Sequence, residues 1–221
     1  MSRRIREIVE ILSWYIKKHG LLRFIILSFV KLWRHINNEE SVYVFDLYFP
    51  NILHKFLHTT KVSLRSYDSL ASIPAADIDQ LIKLKSEAVL YRFLNSFFNR
   101  NAKFWIVKKE NNVVGVHWTL LGGFNGFYSL PISKRDAIIL AVEVFPAFRG
   151  QNLWPQILND TVSALKKEGI SRVYIKVGIW NNPMLRSMKK IIGSRIGTVR
   201  TFHVFNRHIT IWDQKSLDSF S

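Results

Sequence analysis

The sequence predicts an α+β fold, a sheet flanked by helices and preceded by a basic amphipathic helical extension. Three observations lead there. Val173, Ile175, Val177 and Ile179 alternate strictly with other residues, the pattern of a buried strand. Leu153, Ile157, Leu158, Val162 and Leu165 instead recur at helical spacing and stop at Gly169. Residues 141–155 join the two patterns: an apolar strand runs through Arg149-Gly150 directly into that helix, with Pro155 in its first turn, where a missing N–H costs nothing.

Composition bounds the function. With 221 residues, 48% of them hydrophobic and 14% aromatic, the chain can bury one large core with an appendage, which excludes global disorder. The formal charge of +16 and pI near 10.2 call for an anionic partner. Seven Trp, sixteen Phe and an apolar basic N-terminus favour a membrane surface or an acidic protein over nucleic acid, whose binders concentrate Lys and Arg in recognisable modules. The absence of cysteine removes disulfides, thiolate metal sites and a cysteine nucleophile, and is compatible with the cytoplasm. Glu7 and Glu10 interrupt what would be the apolar part of a signal peptide, so secretion is not expected.

Taken in order, residues 3–18 carry Ile5, Ile8, Val9, Leu12, Tyr15 and Ile16 on one helical face and most charges on the other, ending at Gly20. Residues 21–33 are apolar except for Arg23, Ser28 and Lys31, too short and too charged for a span of ~20 residues. Such helices either pack on the domain or on a second copy of it, or lie in a membrane interface with their basic side chains at lipid phosphates. The content of residues 41–47 predicts a leading strand.

From Lys61 the expected succession is a strand at 62–67, one or two helices over 74–100, and strands at 103–109 and 113–121 joined by a hairpin at Glu110-Asn111-Asn112. A loop at 122–126, a strand at 137–145, the helix from 153, the strand at 173–179, a helix from Asn181-Asn182-Pro183 to Lys190 and a closing hairpin at Asn206-Arg207 follow. Gly122-Gly123 lacks the strand and helix that a phosphate cradle needs and reads as a loop beside a cleft. His54 and His58 share a helical spacing without a carboxylate or thiol pattern, and no metal site is expected.

The strand-to-helix turn is the strongest site signal. Amides of Arg149, Gly150, Gln151, Asn152, Leu153 and Trp154, with the helix dipole behind them, suit a phosphate. The alternative is an ordinary turn, with Asn152 simply capping the helix.

This stretch, from Val144 and Pro146 through Arg149-Gly150 to Trp154, is similar to the V-x-P-x-x-R-G-x-G-x-G/A signature of the GNAT superfamily of acyl-CoA-dependent N-acyltransferases. Asn181 and the Met184 to Lys190 segment resemble the family's second conserved stretch, and the likeness covers residues 61–213. It implies a GNAT-like mixed, splayed central sheet and a domain layout of 1–60 as helical extension plus leading strand, 61–213 as the acyltransferase domain and 214–221 as a tail. Asn152 and Trp154 replace the family's glycines, Ile192-Gly193 replaces Gly-Phe, and Met188 stands where many relatives carry a tyrosine acid. Trp154 is therefore expected either to crowd a pyrophosphate or to point away from it.

What the resemblance implies is direct attack of an amine on the thioester of acetyl-CoA or another acyl-CoA, with no covalent enzyme intermediate and no metal. Backbone groups near Val144 and Phe145 would hold the acyl carbonyl and the pantetheine arm, an N–H there stabilising the oxyanion. Glu143, a carboxylate in an apolar strand, is the first candidate base, with an ion pair to a neighbouring strand's Lys or Arg as its alternative. His117 is the second candidate base, with a satisfied core or surface histidine as its alternative, and Asn181 a candidate for positioning the donor or a water that replaces the acid, with capping of the next helix as its alternative. The basic helical front end and the leading strand look like family members linked to surface-polysaccharide or glycolipid assembly, implying an amino-sugar acceptor. Further expected partners are an acyl carrier protein as alternative donor, an anionic membrane reached through residues 3–36 at the cytoplasmic face, and a second copy of the chain.

Overall fold

The computed structural model describes residues 38–47, 62–98, 100–122, 132–191, 194–204 and 207–212, together with eight positions between 13 and 29. Most of the two N-terminal helices expected over 3–33, the histidines at 54 and 58, the glycine loop beyond Gly122, Gly193 and the tail lie outside these residues.

Among the described residues, eight strands form one mixed sheet: β1 (Asn38–Asp46), β2 (Ser63–Tyr67), β3 (Ala102–Lys109), β4 (Asn112–Leu121), β5 (Asp136–Val144), β6 (Arg172–Gly178), β7 (Ser194–Val204) and β8 (Arg207–Trp212). Their order across the sheet is β2-β3-β4-β5-β6-β1-β7-β8. Among these strands only β5 and β6 pair in parallel; β1 runs antiparallel to both of its neighbours. The leading strand is thus an inner strand of the central sheet, and the boundary expected at residue 61 divides that sheet. The two faces of β1 are buried because the sheet is covered on both sides, so Val42 and Phe45 have no exposure.

Helices α1 (Ala75–Lys85) and α2 (Glu87–Phe98) cover one face, and α3 (Leu153–Lys167) and α4 (Asn182–Lys190) the other. Ser86, at φ 68, separates α1 from α2 because a residue in the left-handed region cannot continue a right-handed helix. The β3–β4 hairpin turns at Glu110 and Asn111, both at positive φ, as a tight two-residue turn requires. Under α2, Phe93, Phe97, Phe98, Phe104 and Trp118 form an edge-on aromatic cluster, with Phe98 4.8 Å from Trp118. Gln80 fixes α1 to the sheet, its Oε1 accepting from the Val113 amide at 2.8 Å. That anchor sets where the C-terminal residue of α1, Lys85, reaches the end of β5.

Candidate functional site

The site begins with an irregularity in β5. Ala141 has φ 48, and His117 of β4 faces the two residues Ala141 and Val142, so β5 carries a bulge. One extra residue reverses the alternation beyond it. Ile139 faces α3, and without the bulge Glu143 would face α3 as well; instead Val142 and Val144 face α3, while Glu143 and Phe145 face α1 and α2.

Beyond the bulge β5 and β6 part company. Their pairing runs from Asp136↔Arg172 to Ile139↔Ile175 and stops, although β5 continues to Val144 and β6 to Gly178. A gap opens between the two C-terminal ends. On its β5 side the Phe145 amide donates to the Val114 carbonyl at 2.9 Å. Because hydrogen-bonded and non-bonded pairs alternate in an antiparallel ladder, the facing pair Gly115↔Val144 is a non-bonded one. Val144 therefore turns its N–H and C=O away from β4 and into the gap. Its carbonyl accepts from Arg149 Nε at 2.9 Å, as that orientation requires. Gly115 allows this close approach of β4, since a Cβ there would stand 2.8 Å from the Glu143 carbonyl oxygen.

Past the strand, Pro146–Phe148 form one turn of 3-10 helix and the chain enters α3 through Arg149 to Asn152. Gly150 has φ 80 and Asn152 φ 54. Asn is the residue other than glycine that enters the left-handed region most readily, so Asn152 can take a backbone conformation that glycine would otherwise supply. It holds the N-cap position but makes no side-chain capping bond, so the capping role expected from sequence is replaced by this backbone role. None of the amides from Gly150 to Trp154 donates to a backbone acceptor among the described residues, and a Cβ built on Gly150 meets nothing within 4 Å. Successive free N–H groups next to left-handed residues at a helix N-terminus make an anion-binding concavity. The residues present thus fit the pyrophosphate of a CoA ester. Lys109, at the end of β3, adds a cation at the loop through a 3.1 Å bond to Gln151 Oε1.

The remaining candidates fall as follows. Trp154 is 6% exposed, with its indole in the core under α3, so it points away from the loop. Leu153 is likewise a core side chain, and only its amide faces the loop. Asn181 follows β6 after a turn, its amide donating to the Gly178 carbonyl at 2.8 Å, and caps α4, its Oδ1 accepting from the Met184 amide at 3.3 Å. Glu143 pairs with Lys85 of α1, a helix residue where sequence suggested a strand partner. Phe145 cannot offer its amide to a carbonyl, because β4 already takes it, and its side chain is buried against α1 and α2.

His117 does not belong to the gap. It is fully buried on the α3 face, stacked on Trp105 at 5.6 Å and 3.0 Å from Thr161 Oγ1, and burial pushes its pKa down to about 3. A neutral, enclosed imidazole cannot exchange protons with an acceptor in the gap. Lys85 and Lys109 were missed from sequence, since each is one basic residue among many and only tertiary packing brings it to the site.

A hollow of about 540 Å³ lies elsewhere, lined by Ser41 and Tyr43 of β1 and by Asn182, Leu185, Arg186 and Lys189 of α4. None of residues 143–154 lines it, so the strand and loop geometry, and not this hollow, defines the site.

A parallel strand pair splayed at its C-terminal end, beside a helix N-terminus with free amides, is an architecture that can hold a phosphorylated ligand along an open strand edge. The sequence profile of the Acetyltransferase (GNAT) family matches residues 70–193, more than half of the chain, and the chain belongs to that family. No curated protein matches by sequence. Among solved structures, a tandem GNAT protein from the clavulanic acid biosynthesis pathway is 12% identical, with 72% of this chain aligned to 50% of that one and a TM-score of 0.51, a likeness of fold. A conserved protein of unknown function from Staphylococcus epidermidis ATCC 12228 is 9% identical over 79% of this chain and 64% of its own, TM-score 0.47. The IAA acetyltransferase from Bacillus cereus ATCC 14579 is 16% identical over 69% and 96%, TM-score 0.45. The chain spans less than two thirds of the first two of these proteins. No helix among the described residues is long and apolar enough to cross a membrane.

Proposed function

We propose that the protein transfers an acyl group, foremost acetyl, from acyl-CoA to an amine by direct attack. The observation that carries this reading is the Val144 N–H turned into the gap between β5 and β6, one helical turn of chain away from the free amides of residues 150–154. In this reading the pyrophosphate lies on the amides of Gly150 to Trp154, the pantetheine arm follows the unpaired edge of β5, and the Val144 N–H receives the oxyanion of the tetrahedral intermediate. Arg149 must leave the Val144 carbonyl when the arm takes it as acceptor. Glu143 takes the proton of the attacking amine and Asn181 orients the donor from the β6 side. Met188 offers no acid, and a thiolate needs none to leave.

The acceptor proposed is an amino sugar or a related amine carried on a nucleotide or lipid anchor, and the net cationic surface suits such anionic carriers. Calorimetry with acetyl-CoA followed by thiol release on a panel of free and nucleotide-linked amino sugars tests it. Saturable binding and acceptor-dependent thiol release are expected. Binding of acyl carrier protein in place of acetyl-CoA would transfer the reading to a protein-borne donor, and binding of neither would leave a non-catalytic member of the family.

Membrane association has its own support. Leu21, Ile25, Ile26 and Phe29 are helical positions on one face, all more than half exposed, in a stretch that also contains Lys17, Arg23 and Lys31. Such a face with cations beside it suits an anionic bilayer at the cytoplasmic side. Flotation with anionic liposomes is expected for the full chain and lost without residues 1–36; equal recovery of both would remove this part of the proposal.

A further inference from the structure

We propose that Lys85 is an acyl acceptor within the chain: its ε-amine takes the acyl group from the bound thioester, and that modification releases Glu143 for external amines. The inference rests on the acyl-CoA reading above and adds a second acceptor and a modification site to it.

Three observations place the amine. Glu143 and Phe145 stand on the same face of β5, on either side of Val144. Lys85 touches both: its ammonium pairs with the Glu143 carboxylate and lies 5.9 Å from the centre of the Phe145 ring, with the Phe93 ring 5.1 Å away on another side. The nitrogen therefore sits over the Val144 peptide on the α1 and α2 face, while the Val144 N–H points in the plane of the sheet into the gap. A thioester whose carbonyl oxygen meets that N–H and whose plane lies along the sheet presents the face of its carbonyl group to Lys85. That is the approach an amine needs for attack, and holding it there replaces a bimolecular encounter by an intramolecular one. The Lys85 side chain is 13% exposed, so Glu143 and the two rings, and not bulk solvent, make up most of its surroundings.

The chemistry closes with the groups present. The ammonium passes one proton to Glu143, which returns it to water. The amine nitrogen bonds to the thioester carbon, the oxyanion is held by Val144, and collapse breaks the carbon–sulfur bond. The second nitrogen proton leaves with the thiolate as CoA thiol, and the product is a neutral amide. An amide carries no charge to pair with Glu143, so the carboxylate becomes available to an incoming amine. Before acylation the cation between Glu143, Phe93 and Phe145 occupies the place an acceptor ammonium would take.

The test is incubation of the full chain with acetyl-CoA without any acceptor, followed by intact mass and peptide mapping, with calorimetry of acetyl-CoA binding in parallel. One acetyl group per chain, mapped to Lys85 and absent from Lys85→Arg, is expected. With an external amine the parent should show a lag that preincubation with acetyl-CoA shortens and that Lys85→Gln lacks. Binding and steady turnover of an external amine with Lys85 unmodified would overturn this inference and leave the acyl-CoA reading intact. Acetylation spread over many lysines, equal in Lys85→Arg and in heat-unfolded protein, would overturn it as well. Absence of acetyl-CoA binding would overturn both.

Discussion

His117 shows how one side chain is assigned by its surroundings. The Thr161 hydroxyl donates to the Ile157 carbonyl at 2.7 Å, so its oxygen accepts from His117 Nε2–H, and Nδ1 is left as a buried lone pair without a partner among the described residues. Burial lowers its pKa from 6.5 to about 3. The sign follows from linkage. The unfolded chain takes up the proton below about pH 6.5, whereas the folded chain does not until about pH 3, so protonation favours unfolding. The contribution is complete above pH 6.5 and is lost as the pH falls through that window, by about 1.4 kcal/mol for each pH unit. Urea midpoints of the parent should fall across this range, and His117→Gln should flatten the slope while lowering stability at neutral pH. An unchanged slope in the variant would contradict the assignment. The sequence identified the strand that carries His117 and left it open between a base and a core or surface histidine, because a strand pattern does not say which face a helix will cover.

At the scale of the element, the stretch from β5 into α3 was legible where its chemistry is local and illegible where it is not. Arg149-Gly150, Asn152 and the helix behind them announce a strand-to-helix turn because glycine and asparagine are the residues that enter the left-handed region. The bulge at Ala141 had no such signal, since alanine at φ 48 is held there by the surrounding sheet against its own preference. Yet the bulge decides the site, for it sends Glu143 to Lys85 and not towards α3. Asn152 gives the element-level prediction. Asn152→Gly should keep acetyl-CoA affinity and stability within a few-fold and a few tenths of a kcal/mol. Asn152→Val, with a branched side chain in the left-handed region, should lose about 1–2 kcal/mol of stability and weaken acetyl-CoA at least tenfold. Melting temperature and calorimetry read the two effects separately. A valine variant that binds as the parent does would mean that the loop amides do not hold the donor.

At the scale of the molecule, β-branched and aromatic content predicted a strand at 41–47 but not its neighbours, since a buried strand carries no label for the slot it fills. The slot is an inner one. On one side β1 pairs with β6 from Glu40↔Gly178 to Asp46↔Arg172, and on the other with β7, while Lys176 of β6 forms an ion pair with Glu40. Removing residues 1–60 would therefore do more than delete an extension. It would open two ladder edges at once and remove Val42, Tyr43, Val44, Phe45 and Leu47, each less than a tenth exposed. At about 1.5–3 kcal/mol for each large apolar side chain, the loss equals the whole stability of an ordinary domain, about 5–15 kcal/mol. The unpaired edges would also invite aggregation. Removing residues 1–36 leaves every one of these contacts in place. Circular dichroism and urea titration of the two truncations should give a cooperative transition close to the parent's for the shorter deletion and none for the longer. A chain starting at residue 61 that unfolds with the parent's midpoint would show that β1 contributes nothing to the sheet and would restore the boundary drawn from sequence.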